Sequence, residues 1–156
     1  MKKLCCPLVL ILAIAIGGLL YIFVIKGETV AGNANDPRTA LLLSESERAL
    51  VLEEMRGFLA AVQTITLAAN NDDMKTVAET ARKVGKAAQG EVPPSLVRKL
   101  PMPFKKLGFG THQAFDQLAL DAESFGDKAQ TLEALGKLMG NCVGCHATYQ
   151  IKISAN

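Results

Sequence analysis

At 156 residues the chain has room for one domain and an extension, and its 17 basic against 15 acidic side chains give a formal charge of +2. That small surplus sits at the start: with Lys2, Lys3, Lys26 and Glu28 set aside, 14 side chains of each sign remain after Val30. A nucleic-acid-binding domain carries a basic excess, so this composition excludes that class.

From Leu4 to Ile25 run 22 residues without a charge, preceded by Lys2 and Lys3 and closed by Lys26. As a helix the run is about 33 Å long, enough to cross a hydrocarbon core of about 30 Å. The competing reading is a cleaved signal peptide, whose apolar stretch is about 7 to 15 residues and ends at a small-x-small site. This run is longer, and Thr29-Val30-Ala31 is only a passable cleavage site. Residues 1–26 are therefore expected to be a retained single-pass anchor, with the two lysines in the cytoplasm and everything after Lys26 exported. Cys5 and Cys6 fall inside the run and read as small apolar residues of a membrane helix, with acylation as the sharper alternative. No lipobox of small residues precedes them.

Residues 27–43, opening in Gly, Asn, Ala and Thr, read as a flexible linker. The remainder, 44–156, shows helical periodicity in four stretches and no convincing two-residue alternation. The first helix is expected from Ser44 to Ala69, opened by a capping box with Glu47, with Leu52, Met55, Leu59, Val62 and Ala69 on its inward stripe, flanked by Phe58 and Ile65. Asn70-Asn71-Asp72 breaks it, and a second helix follows over Asp73 to Gln89 as an antiparallel neighbour. Pro93, Pro94, Pro101 and Pro103 interrupt the next stretch, which places the third helix near Thr111, with His112 inward. Gly126-Asp127 stops it, and a fourth helix carries Leu132, Leu135, Met139, Cys142, His146 and Tyr149 along one stripe. The expected fold class is all-α, an antiparallel four-helix bundle preceded by one transmembrane helix.

That last helix holds Cys142-Val143-Gly144-Cys145-His146, the attachment signature of a c-type haem. Two thiols three positions apart each add to a vinyl group of one haem, and the next residue offers an imidazole to its iron. On a helix, Cys142 and His146 stack one turn apart with Cys145 beside them. A zinc site would need a fourth ligand, and a thioredoxin-like redox pair would want a βαβ surround. Neither is supplied. No cysteine pair is left in the exported part for a disulfide, so packing and the haem c, one and covalently attached, must stabilise the core. Covalent attachment in bacteria occurs outside the cytoplasmic membrane, which agrees with export.

A four-helix bundle whose CxxCH lies in the C-terminal helix resembles the cytochrome c-prime family, over roughly Ser44 to Ile151. The resemblance implies Cys142 and Cys145 as thioether anchors and His146 as proximal ligand. Its low-spin branch places a methionine of the first helix on the opposite face of the iron, and Met55 matches that placement; the alternative is a methionine that fills the core. His112 competes for the distal position or serves in the haem pocket, while Met74 sits too far along for a ligand. Where family members usually carry Arg or Lys four residues after the haem histidine, this chain has Gln150. Losing that cation implies a lower reduction potential and weakens the gas-binding reading.

The function expected is electron transfer by a monohaem c-type cytochrome held in the bacterial cytoplasmic membrane with its haem domain on the periplasmic side, and no enzymatic activity. The alternatives are a five-coordinate haem protein that binds nitric oxide or carbon monoxide, and a fixed haem subunit of a larger respiratory complex. The partner implied is a redox protein at or near the membrane, and homodimers through the first two helices are common in the family. Arg98, Lys99, Lys105 and Lys106 form either a docking patch for an acidic partner or a solvated loop.

Overall fold

A computed structural model describes residues 2–154, apart from the side chains of residues 2–6 and of Glu91. The side chains of Cys5 and Cys6 and the ends of the expected 1–26 and 44–156 units thus lie outside the described residues. The chain is mostly helical: α1 (Lys2–Leu20), α2 (Glu45–Asn70), α3 (Met74–Lys83), α4 (Pro94–Lys99), α5 (Met102–Phe125) and α6 (Lys128–Thr148). It also has three short strands, β1 (Thr29–Val30), β2 (Thr39–Leu43) and β3 (Tyr149–Ile153).

Local chemistry explains the helix ends. Ser44, in extended backbone, accepts from the Glu47 amide at 3.2 Å and donates its own N–H to Oε2 of Glu47 at 2.8 Å, completing the capping box. Asp73 caps α3 by accepting from the Thr76 amide and Asp127 caps α6 by accepting from the Gln130 amide, and Gly126, left-handed at φ 62°, closes α5.

Two helices differ from expectation at their ends. α3 stops at Lys83 instead of continuing to Gln89, because the carboxylate of Asp116 on α5 takes the Lys86 amide at 3.1 Å. A Cβ on Gly85 would lie 1.9 Å from Oδ1 of Asp116, so a side chain there would displace the carboxylate that holds the Lys86 amide. α5 starts at Met102, nine residues before the expected Thr111. Pro101 precedes its first turn and Pro103 lies within it, where no intrahelical donor is required, so these prolines open the helix.

α2, α3, α5 and α6 share one core, centred on Phe58, Ile65, Val77, Phe115, Leu118 and Leu135. Phe58 and Phe115 stack at 5.5 Å, and Arg82 of α3 pairs with Glu123 of α5 on the outside. Leu59, expected on the inward stripe, is 70% exposed; Ala69 of that stripe and the flanking Phe58 and Ile65 are buried, joined by Val51 and Ala61.

The sheet corrects the all-helical expectation. β2 is central, antiparallel to β1 (Val30 opposite Ala40) and parallel to β3, with Thr39 opposite Tyr149 and Leu43 opposite Ile153. Ala40, Leu41 and Leu43 are fully buried, so β2 is an unbroken apolar run without the alternation of a half-exposed strand. Leu41 and Leu43 join Val51, Leu96 and Leu100 in a second core cluster. Tyr149, expected on the last helix, begins β3.

Residues 27–43 are accordingly no loose linker, since they contain β1 and β2. The N-terminal helix, exposed over Pro7–Lys26 with a mean hydropathy of 3.0 there, is long and apolar enough to cross a membrane once. Its last turns, Tyr21–Lys26, widen into a π-helix that ends directly on the folded domain. Glu28 donates its N–H to the Lys99 carbonyl at 2.7 Å, and the buried Lys105 ammonium reaches the Val24 carbonyl at 3.1 Å. Burial lowers the pKa of Lys105 below its usual value.

Candidate functional site

Cys142, Cys145 and His146 lie in the last two turns of α6, where the helix leaves the four-helix core and meets β3. The two thiols are free and half-buried, and His146 is exposed. Burial raises both thiol pKa values, and for Cys145 the neighbouring Cys142 adds to the effect. Neutral thiols are poor disulfide-exchange nucleophiles. Among the described residues, no group of three or more His, Cys, Asp or Glu side chains is arranged to hold a metal ion.

Beside the motif are two adjoining cavities. One, of about 400 Å³, lies between α2, α5 and α6, with Leu59, Val62, Leu107, Met139 and Cys142 on its walls. The other, of about 330 Å³, reaches toward the sheet and is lined by Arg38, Arg48, Leu41, Tyr149, Gln150 and Ile151. Leu52, Met55, Phe104, Cys145 and His146 line both. The structure thus brings Met55 into the same space as Cys142, Cys145 and His146. The stripe of α2 expected to fill the core, Leu52-Met55-Leu59-Val62, instead forms one wall of this space, which explains why Leu59 is exposed.

His112 is placed differently. It lines neither of these cavities but a third, of about 280 Å³, between α2, α4 and α5. Nδ1 meets the Val84 carbonyl at 2.8 Å and Nε2 meets Oε1 of Glu54 at 3.1 Å, while the ring packs on Phe58 at 4.9 Å. Both partners present acceptor oxygens, an arrangement that suits the imidazolium form, which donates from both ring nitrogens. Burial opposes that charge, but the Glu54 carboxylate and the Val84 carbonyl outweigh it and raise the pKa above its ordinary value. Met74 is remote from the motif; its sulfur accepts from the Thr131 hydroxyl at 3.6 Å.

Several site residues carry no local sequence signal. Arg38 donates from Nη1 to the His146 carbonyl at 3.2 Å and to the Tyr149 carbonyl at 3.4 Å, satisfying the C-terminal end of α6. Its guanidinium also pairs with Asp36 at 2.7 Å, and that hydrogen bond lowers the Asp36 pKa to about 2. Gln150 turns its amide onto the Arg38 carbonyl at 2.9 Å. The proximity of a cation to the histidine, which Gln150 seemed to remove, is therefore supplied by Arg38 from 108 residues away. Tyr149 meets Phe104 edge-to-face at 5.3 Å and so joins the cavity wall to the sheet.

Comparison with family models, with curated proteins and with solved structures finds no match to this chain.

Proposed function

We propose that the chain is a membrane-anchored c-type cytochrome of one haem, built as a cytochrome c-prime-like four-helix bundle, that carries single electrons on the periplasmic side of a bacterial cytoplasmic membrane. The observation that carries this reading is that Met55, Cys145 and His146 line one apolar space beside Cys142. A flat macrocycle with an apolar rim suits a slot whose walls are Leu52, Leu59, Val62, Phe104 and Leu107.

In this reading each residue has one task. Cys142 and Cys145 each add an S–H across a vinyl double bond, sulfur to one carbon and hydrogen to the other, so nothing is oxidised. His146 on α6 and Met55 on α2 would hold the iron, through an imidazole nitrogen and a thioether sulfur. Haem iron held this way supplies a one-electron ferric/ferrous couple. Holding both side chains on packed helices would limit rearrangement between the two states, and a thioether ligand would favour the ferrous one. Arg38 places a positive charge beside His146, partly offset by Asp36, and so limits the fall in potential that Gln150 alone implies.

His112 suits the ligand role less well than Met55, since both its nitrogens are already engaged, by the Val84 carbonyl and the Glu54 carboxylate. The apolar N-terminal helix supports membrane attachment. A carrier confined to the membrane plane meets a membrane redox partner at raised effective concentration.

Optical spectroscopy of the reduced chain with and without carbon monoxide tests this assignment. The expected result is a low-spin ferrous spectrum that carbon monoxide changes slowly or not at all. Rapid formation of an adduct from a high-spin ferrous state would instead support the gas-binding alternative.

A further inference from the structure

We propose that the corner between α4 and α5 is a bilayer-facing surface that takes the headgroups of anionic phospholipids, with Lys26, Arg98 and Lys106 as the cations and Phe109 as an apolar side chain in the interfacial layer. The inference rests on the membrane attachment in the proposed function.

Three contacts fix this corner to the end of the apolar helix. Glu28 N–H bonds the Lys99 carbonyl and Lys105 reaches the Val24 carbonyl. Gly27, at φ 63°, lies so close to the Lys99–Pro101 backbone that a Cβ would come within 2.3 Å of the Lys99 oxygen. The corner is therefore held where the helix leaves the domain, at the level where headgroups begin.

The side chains of the corner divide into two sets. Lys99 is committed to Glu47 at 2.9 Å, and Lys105 is buried on the helix end. Lys26, Arg98 and Lys106 are exposed, and none has an ion pair among the described residues. Phe109 follows Lys105 by four residues and Lys106 by three, which puts it on the same side of α5. It is 49% exposed and lines none of the three cavities. Cations beside an exposed aromatic, next to a membrane-length helix, match the chemistry of an anionic interface, where phosphate meets ammonium or guanidinium and the ring enters the acyl boundary. Phe104, which lines the cavities at the motif, belongs to the same first turn of α5, so docking of this corner holds the site close to the membrane surface.

The chain contains no tryptophan, so Phe109→Trp introduces its single indole. The full chain is reconstituted in vesicles of phosphatidylcholine alone or mixed with phosphatidylglycerol, with brominated acyl chains as quencher, and flotation is scored first. A chain that fails to float overturns the membrane attachment itself. For a chain that floats, the expected result is blue-shifted emission quenched several-fold more strongly when phosphatidylglycerol is present, a difference abolished by Arg98→Glu with Lys106→Glu. Emission typical of water-exposed indole without quenching overturns the proposal, as does quenching equal in both vesicles and indifferent to the charge reversal.

Discussion

Nε2 of His112 lies 3.1 Å from Oε1 of Glu54 in a pair whose imidazole side chain is 4% exposed and whose carboxylate is 33% exposed. The folded state holds the ring proton more tightly than the unfolded chain, where the pKa is about 6.5. The pair's contribution to stability is thus fully present below about pH 6.5 and is lost as pH rises through the raised folded-state value. Chemical denaturation across this window should show stability falling with pH. Glu54→Ala should flatten that slope and cost about 1–3 kcal/mol, because a buried donor loses its acceptor. An unchanged slope in the variant would show that the His112–Glu54 pair does not control it.

Met55→Leu separates ligand from filler. The side chains are close in volume, so the substitution should cost less than about 1.5 kcal/mol in stability. If Met55 holds the distal position, the ferrous spectrum should change from low to high spin and carbon monoxide should bind readily. A low-spin spectrum that survives this change and is lost in His112→Ala would transfer the role to His112.

Gly27 has φ 63° and ψ −168°, backbone that residues with a side chain rarely adopt. Gly27→Ala should therefore cost of the order of 1–3 kcal/mol at the junction of helix and domain. Limited proteolysis should report it as faster cleavage between Lys26 and Thr29, with the four-helix core left intact.

Ser44 opens α2, which carries Met55, through reciprocal hydrogen bonds with Glu47. Ser44→Ala should cost about 1 kcal/mol and lower the melting temperature by a few degrees. Glu47 also holds the Lys99 ammonium, so Glu47→Ala should cost more than Ser44→Ala.

Features set by neighbours in the chain were legible before any coordinates. Ser44 with Glu47, Asn71-Asp72, and Gly126-Asp127 mark the helix ends where the structure has them, because caps act over three or four residues. The motif itself was equally plain, as was its position on the last helix. Features set by distant partners were not. β2 and β3 pair across more than a hundred residues, and residues 40–43 of β2, all apolar, show no alternation. Arg38 finds His146 only once that pairing forms. The periodicity of Leu52, Met55, Leu59 and Val62 correctly marks an apolar face, but periodicity alone does not tell a core from the wall of a cavity.

The central claim is that α6 grips a haem covalently, and intact mass spectrometry of the chain, expressed with export and haem attachment intact and then extracted with acid acetone, tests it most directly. The account predicts a polypeptide heavier by one haem, and none in the Cys142→Ser, Cys145→Ser variant. A bare polypeptide mass for the unaltered chain would contradict it.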